Sequence, residues 1–483
     1  MEILSRNNQG LGEGPPIKVV QFGEGNFLRA FIGPTLQALN EKTDFNGGIA
    51  VVQPIAHGMV DKINQQEGLY TLITKGIKNA VPVEKKTLIT NLVRGINPYD
   101  DYAGFLSLAQ ERHLKVVVSN TTEAGIAYDP KDTLALRPPN AFPAKLTAFL
   151  WERFQFFKGD AEKGVAILPC ELINNNGDTL RSYVMDYVEA WDLPTAFGQW
   201  LTQHCTFHNT LVDRIVPGYP AAEREAYQKE LGYVDALMVS AEHFFLWVIE
   251  GDDKLRKLLP FELTDYDVKI VDDLQPFRTR KVRILNGAHT AMVPFSLLYG
   301  NDTVRESVED DFTGPFMQRL VFNEVIPGLP MPTDTLTAYA HDVLERFQNP
   351  FIVHQLSSIA LNSISKFKVR VLPSLLAYLE EKGQLPVHIV YCFACLLRFY
   401  KGQWDKKDLP VQDDTTIMED FKELWRVETL PNVVHKVLSN ATYWGQDLTE
   451  VEGLSNALVL GLEAMEAHGI KDGFSKYQQH VNN

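Results

Sequence analysis

The strongest constraint on this chain is the passage from Val19 to Phe31, VVQFGEGNFLRAF. An apolar run, Ile17–Phe22, meets Gly23-Glu24-Gly25 and then a stretch that can be helical from Asn26. A strand that feeds a glycine turn opening a helix is the context a dinucleotide-binding fingerprint requires. Gly23 can make the tight turn, and Gly25 lets a pyrophosphate approach the backbone at a helix N-terminus. Leu28 stands at the third glycine position, which implies a looser approach of helix to strand. Arg29 has three readings: a ligand for a phosphate, a ligand for a substrate carboxylate, or a salt-bridge partner.

The turn alone does not choose between NAD and NADP. The second apolar run ends Ala50-Val51-Val52-Gln53-Pro54 and carries neither an acid for a ribose hydroxyl nor an arginine for a 2′-phosphate.

Downstream, short apolar runs alternate with amphipathic stretches. Gly48–Val52, Tyr70–Thr74, Leu114–Ser119 and Val165–Pro169 read as buried strands, and Asp101–Arg112 and Ala144–Phe157 as helices. Such alternation predicts a parallel sheet covered on both faces. Beyond about residue 275 helical periods dominate: Lys281–Leu298, Asp334–Phe347, Val353–Phe367, Val371–Lys382, Pro386–Tyr400 and Leu454–Ala467. Val268–Asp272 can still be a strand. The expected architecture is α/β, a Rossmann-like doubly wound domain over residues 1–275 followed by a mostly α-helical domain over 276–483.

A second polar constellation opens the helical half, Lys281-Val-Arg-Ile-Leu-Asn286-Gly-Ala-His289. On an α-helix Asn286 and His289 share a face, and Lys281 lies about 80° from His289. A lysine with a lowered pKa can exchange a proton with an alcohol, an asparagine can donate to an alkoxide, and a histidine can position the hydroxyl. The same residues also fit a basic helix start with two hydrogen-bonded core side chains. Asn120-Thr-Thr122-Glu123-Ala-Gly125 follows a strand, where loops of an open α/β sheet bind ligands. Asn174-Asn-Asn176-Gly177 follows another, and Asp213-Arg214 sits among apolar neighbours as a candidate buried ion pair.

A net charge of −15 over 483 residues argues against nucleic acid as a partner, and an anionic substrate would need a local basic pocket. Four cysteines are too few for a disulfide framework, and Cys392-x-x-Cys395 lies in an apolar run that reads as buried helix. No metal site, signal peptide or membrane span is evident, so a cytoplasmic enzyme is expected. Oligomeric state is left open.

Together the motifs Gly-x-Gly-x-Phe-x-Arg-Ala at Gly23–Ala30, Thr-Glu-x-Gly at Thr122–Gly125, Val-Asp-Arg-Ile at Val212–Ile215 and Lys-x4-Asn-x2-His at Lys281–His289 resemble the mannitol dehydrogenase family of polyol-specific long-chain dehydrogenases. Arg346-Phe-x-Asn-Pro350 and Lys366 extend the resemblance into the helical half. It implies zinc-independent, NAD-dependent hydride transfer, here to or from a small sugar acid. Lys281 is then the general acid/base, with Asn286 and His289 at the reacting oxygen. Val20, Gln21, Phe22, Gly23, Glu24, Gly25, Asn26, Phe27, Arg29, Thr122, Glu123 and Asp213 fall to the cofactor, and Lys366 to the substrate. Two departures stand out. Polyol-oxidising relatives carry Asp-Asn where this chain has Glu171-Leu172, which makes Asn176 the candidate replacement donor. A family arginine eight residues before the lysine is Ser358. A non-catalytic nucleotide-binding regulator is the alternative class, and the intact Lys–Asn–His set speaks against it.

Overall fold

The protein is described by a computed structural model covering residues 1–78, 81–122 and 124–481. It divides into two compact units, Met1–Gly76 with Val81–Leu274, and Ile77–Ala80 with Gln275–Asn483.

The first unit is built on six parallel strands in the spatial order Leu92–Ile96, Gly48–Val52, Ile17–Phe22, Val116–Ser119, Ala166–Pro169, Thr206–Phe207. Counted along the chain this is 3-2-1-4-5-6, the dinucleotide-binding order, with its switch point between the first and fourth strands. Gln21 marks the register, lying opposite Val51 on one side and Val118 on the other. Successive side chains leave a strand on opposite faces. Accordingly Val19 joins one apolar core with Phe31, Val51 and Val118, whereas Val20 and Phe22 join another with Phe105, Phe149 and Val117. Burial on both faces is why these strands read as unbroken apolar runs.

One expectation changes and one open reading is resolved. Tyr70–Thr74 begins a longer strand, Tyr70–Lys78, outside the parallel sheet; it pairs with Val239–Glu242 in a separate three-stranded sheet. An apolar run reports burial, not the sheet it joins. Val268–Val271 is a strand and lies in the first unit, beside Leu246–Glu250.

From Gln275 onward the described residues of the second unit are mostly helical, with one short hairpin, Gln403–Trp404 with Lys407–Asp408. Its centre is the helix Val387–Phe399, buried from His388 to Phe399. The close approach of Gly461 to Ala394, with only 3.1 Å left for an added Cβ, brings Leu454–Val481 against it. Cys392 and Cys395 are unpaired thiols inside this helix, both pushed up in pKa by burial.

Val353–Phe367 is not one helix. A short turn, Leu356–Ile359, is followed by Asn362 in the left-handed conformation and a new helix, Ser363–Arg370. Asparagine tolerates that conformation better than most residues, and here it restarts the chain in a new direction. Among the described residues no helix is long and apolar enough to cross a membrane, and no side-chain cluster could hold a metal.

Candidate active site

In the first unit the glycine turn sits at the carboxyl end of the central strand. Gly23 has φ +115°, and a Cβ there would lie 2.7 Å from the Asn120 carbonyl oxygen, so the position demands glycine. Gly25 is different. It is extended at the N-cap of helix Asn26–Lys42, and a Cβ on it would meet nothing within 4 Å. No side chain caps that helix and its first turn carries no acid. The leading amides are thus free of the usual side-chain cap, and the space over Gly25 suits a pyrophosphate.

The buried polar groups around the turn hold its shape. Gln21 donates to the Gly23 carbonyl at 2.7 Å. Arg29, 1% exposed, lies beneath the turn and donates to the Glu24 carbonyl at 2.5 Å and to Asn26 Oδ1 at 2.8 Å. Of the three readings of Arg29 the structure supports none; it is a framework cation whose partners are the turn itself. The side chains of Val20 and Phe22 pack into the apolar core, Phe22 on Phe105, Phe142 and Phe149. Phe27 stacks on Phe31 at 4.9 Å and so fixes the first helical turn.

Glu24 is buried where the end of the second strand lacks an acid. A Cβ on Gly58 would fall 2.2 Å from Glu24 Oε1 and 2.4 Å from Gln53 Oε1, so both side chains meet at this loop. Burial raises the Glu24 pKa, opposed by the Met59 amide and Arg29. The Gln53 carboxamide is occupied by the Ile55 and Ala56 carbonyls and the Val60 amide.

Thr122, in the loop after the fourth strand, is exposed with φ 80°, a strained conformation for a β-branched residue. Glu123 lies outside the described residues. Glu171 reaches this loop from the next strand end, accepting from Ser119 Oγ, the Thr121 amide and Thr121 Oγ1, each at 3.0 Å. Asp213 is buried at the end of strand Thr210–Asp213. Arg214 donates to the Glu242 carbonyl at 3.0 Å and to the Ala30 carbonyl, so its charge is satisfied by backbone oxygens.

In the second unit Lys281–Asn286 is a π-helical turn that runs into the α-helix Gly287–Tyr299. The Gly287 amide reaches back five residues to the Val282 carbonyl. A π-turn absorbs one extra residue. Lys281 and Asn286 are therefore separated by the equivalent of four α-helical steps, and Lys281 and His289 by seven, or about 20° short of two full turns. The offset of about 80° expected from an unbroken α-helix is removed, and the three side chains share one face. The Asn286 side chain has no hydrogen-bond partner among the described residues. His289 stacks on Phe347 at 4.2 Å and meets the edge of His354 at 5.0 Å. Burial lowers the His354 pKa and favours its neutral ring.

Lys366 and Arg370 come from helix Ser363–Arg370. Lys366 Nζ donates to the Ile359 carbonyl at 2.9 Å; burial and then Arg370 lower its pKa. The unit thus gathers cations, a free amide donor and imidazoles, a set suited to an anionic substrate undergoing proton transfer at an oxygen.

The mannitol dehydrogenase Rossmann domain matches residues 17–262, and the mannitol dehydrogenase C-terminal domain matches 273–466. The chain belongs to the mannitol dehydrogenase family. A family relative, the altronate oxidoreductase of Bacillus subtilis (strain 168), is 47% identical over 464 residues, 96% of this chain and 95% of that one. The altronate oxidoreductase of Yersinia pestis bv. Antiqua (strain Nepal516) is 44% identical over 483 residues, 99% and 100% of the two chains. Solved structures similar in fold are a substrate-free D-sorbitol dehydrogenase, TM-score 0.83, 21% identical, covering 98% of this chain and 100% of that chain. Another is the Pseudomonas fluorescens mannitol 2-dehydrogenase ternary complex with NAD and D-mannitol, TM-score 0.68, 21% identical, covering 99% and 100%.

Within the family frame the departures acquire places. Leu172 is 60% exposed, whereas Glu171 turns inward. Asn176 does not replace the missing donor. It is 0% exposed; its Nδ2 donates to the Pro169, Glu171 and Thr210 carbonyls, and its Oδ1 accepts from the Thr210 and Gly177 amides. It is a strand-end staple with no group left for a substrate. Ser358 is exposed and bonds the Gln355 carbonyl. Arg283, His354 and Arg370 were not marked as site residues in the sequence; Arg370 has a signal, its place four residues after Lys366.

Proposed function

We propose that this family member is an NAD-dependent altronate oxidoreductase that interconverts D-tagaturonate and D-altronate. The observation that carries this reading is the shared face of Lys281, Asn286 and His289 in a chain 47% identical to an altronate oxidoreductase over nearly its whole length. The Gly23–Gly25 turn and the leading amides of helix Asn26–Lys42 suit the dinucleotide pyrophosphate. When bound, NADH supplies the hydride that reduces the ketone.

The remaining chemistry falls to this chain. Lys281 gives a proton to the ketone oxygen as negative charge develops there, and takes it back in the oxidative direction. Asn286 Nδ2, unengaged by the protein, donates a hydrogen bond to that oxygen. His289, held flat against Phe347, orients the hydroxyl. Lys366 offers the substrate carboxylate a charged donor.

The test is loss of reduced-nicotinamide absorbance with purified protein, NADH and each of D-tagaturonate, D-fructuronate and D-fructose, repeated with NADPH. Preferred turnover of tagaturonate with NADH is expected. Preference for fructuronate or fructose would move the assignment to another substrate of the family, and no turnover of any of them would remove it.

A further inference from the structure

An enzyme acting on a sugar acid must hold a carboxylate at the far end of the substrate from the reacting ketone. In the second unit, Arg370 offers a group of the right charge and geometry. It follows Lys366 by one helical turn, so the two cations share a face. The Arg370 backbone carbonyl lies against Gly287, 3.1 Å from where a Cβ would be, and its Nη1 is 3.4 Å from Thr290 Oγ1. Thr290 is four residues beyond Asn286 on helix Gly287–Tyr299, so the guanidinium lies along the face that carries Asn286.

The charge around it is only partly compensated, Asp413 acting on Lys366 from beyond ion-pair distance. Among the described residues neither Arg370, Lys366 nor Arg283 has an ion-pair partner, although acids outnumber bases 61 to 46 in the chain. All three are partly buried. Arg398, by contrast, is paired with Glu466 at 2.6 Å. Three partly desolvated cations without an ion pair raise the energy of the empty site, which falls when an anion arrives. Arg283 is less suited to the task because its Nη1 is sealed from solvent. The guanidinium of Arg370 can present two parallel N–H groups, which the Lys366 ammonium cannot.

We propose that Arg370 is the specificity-determining anchor for the substrate carboxylate, with Lys366 as its partner, and that it selects sugar acids over neutral polyols and ketoses. This rests on the sugar-acid oxidoreductase reading above.

The experiment compares wild type, Arg370→Leu and Arg370→Lys with D-tagaturonate and its neutral counterpart D-tagatose, the latter as substrate or competitor. NADH binding, titrated by fluorescence, reports folding. Arg370→Leu is expected to raise KM for tagaturonate roughly 10- to 100-fold, the worth of a charged hydrogen bond, with kcat within about threefold. Tagatose and NADH should be unaffected, and Arg370→Lys should recover part of the loss. An unchanged KM for the acid, or equal losses for acid and neutral ketose, would overturn the anchor. Failure of the wild type to reduce any ketouronate would overturn the underlying function instead, and the anchor with it.

Discussion

Arg29 donates a 2.5 Å hydrogen bond to the Glu24 carbonyl from beneath the glycine turn, turning a buried charge into a brace for the turn's backbone. Replacing it by methionine leaves that carbonyl and Asn26 Oδ1 without their donor. A stability loss of about 2–3 kcal/mol is expected, measured by urea unfolding, together with weaker NADH binding. A phosphate ligand would instead lose affinity with stability intact.

Gly23 and Gly25 should separate folding from cofactor binding. Gly23→Ala meets both a positive φ and the Asn120 carbonyl, and is expected to cost about 2 kcal/mol or more in unfolding free energy. Gly25→Ala meets no atom, so stability should stay within about 0.5 kcal/mol while the NADH Kd rises as the methyl fills the pyrophosphate space.

Lys281→Met should lower kcat by about 100- to 10,000-fold with the NADH Kd unchanged. Asn286→Ala should cost about 100- to 1,000-fold. Steady-state kinetics and a fluorescence titration of NADH check both.

Asn176→Ala should behave as a folding mutant. The Glu171 and Thr210 carbonyls and the Thr210 amide lose this partner, while the Gly177 amide keeps Asn209 Oδ1 and the Pro169 carbonyl keeps Thr210 Oγ1, so a loss of about 2–4 kcal/mol in stability is expected, with kcat/KM per folded molecule nearly unchanged.

The pH dependence of substrate affinity should follow Lys366. Burial and the neighbouring Arg370 lower its pKa, so it loses its charge at a lower pH than an ordinary lysine. KM for the sugar acid should therefore rise on the alkaline side, beginning below the usual lysine range. Lys366→Arg, which stays charged, should move that rise to higher pH. The KM–pH profiles of the two proteins are the measurement.

The parallel sheet was legible because burial on both faces leaves unbroken apolar runs such as Gly48–Val52, all five residues of which are buried. The glycine turn was legible because Gly23 answers a backbone demand that no other residue meets. Side-chain allegiance was harder to read. Gln21, Arg29 and Asn176 are polar residues beside a predicted site, and all three spend their hydrogen bonds on the framework. Nothing in their spacing distinguishes a brace from a ligand. The break at Asn362 was hidden by apolar residues on both sides that continue a helical period. Arg370 carried only its spacing from Lys366 as a signal, and its approach to Thr290 on a separate helix is visible only in three dimensions.

The π-turn at Lys281–Asn286 means that the shared face of Lys281, Asn286 and His289 depends on how the backbone is wound as well as on which residues it carries. With every residue kept, rewinding the segment as an ordinary α-helix would turn Lys281 about 100° against Asn286 and His289. Deleting one residue, such as Val282, would instead remove the surplus that the π-turn absorbs and leave the three side chains on one face. A one-residue deletion inside a helix, ordinarily more disruptive than a substitution, is here a change the face can absorb.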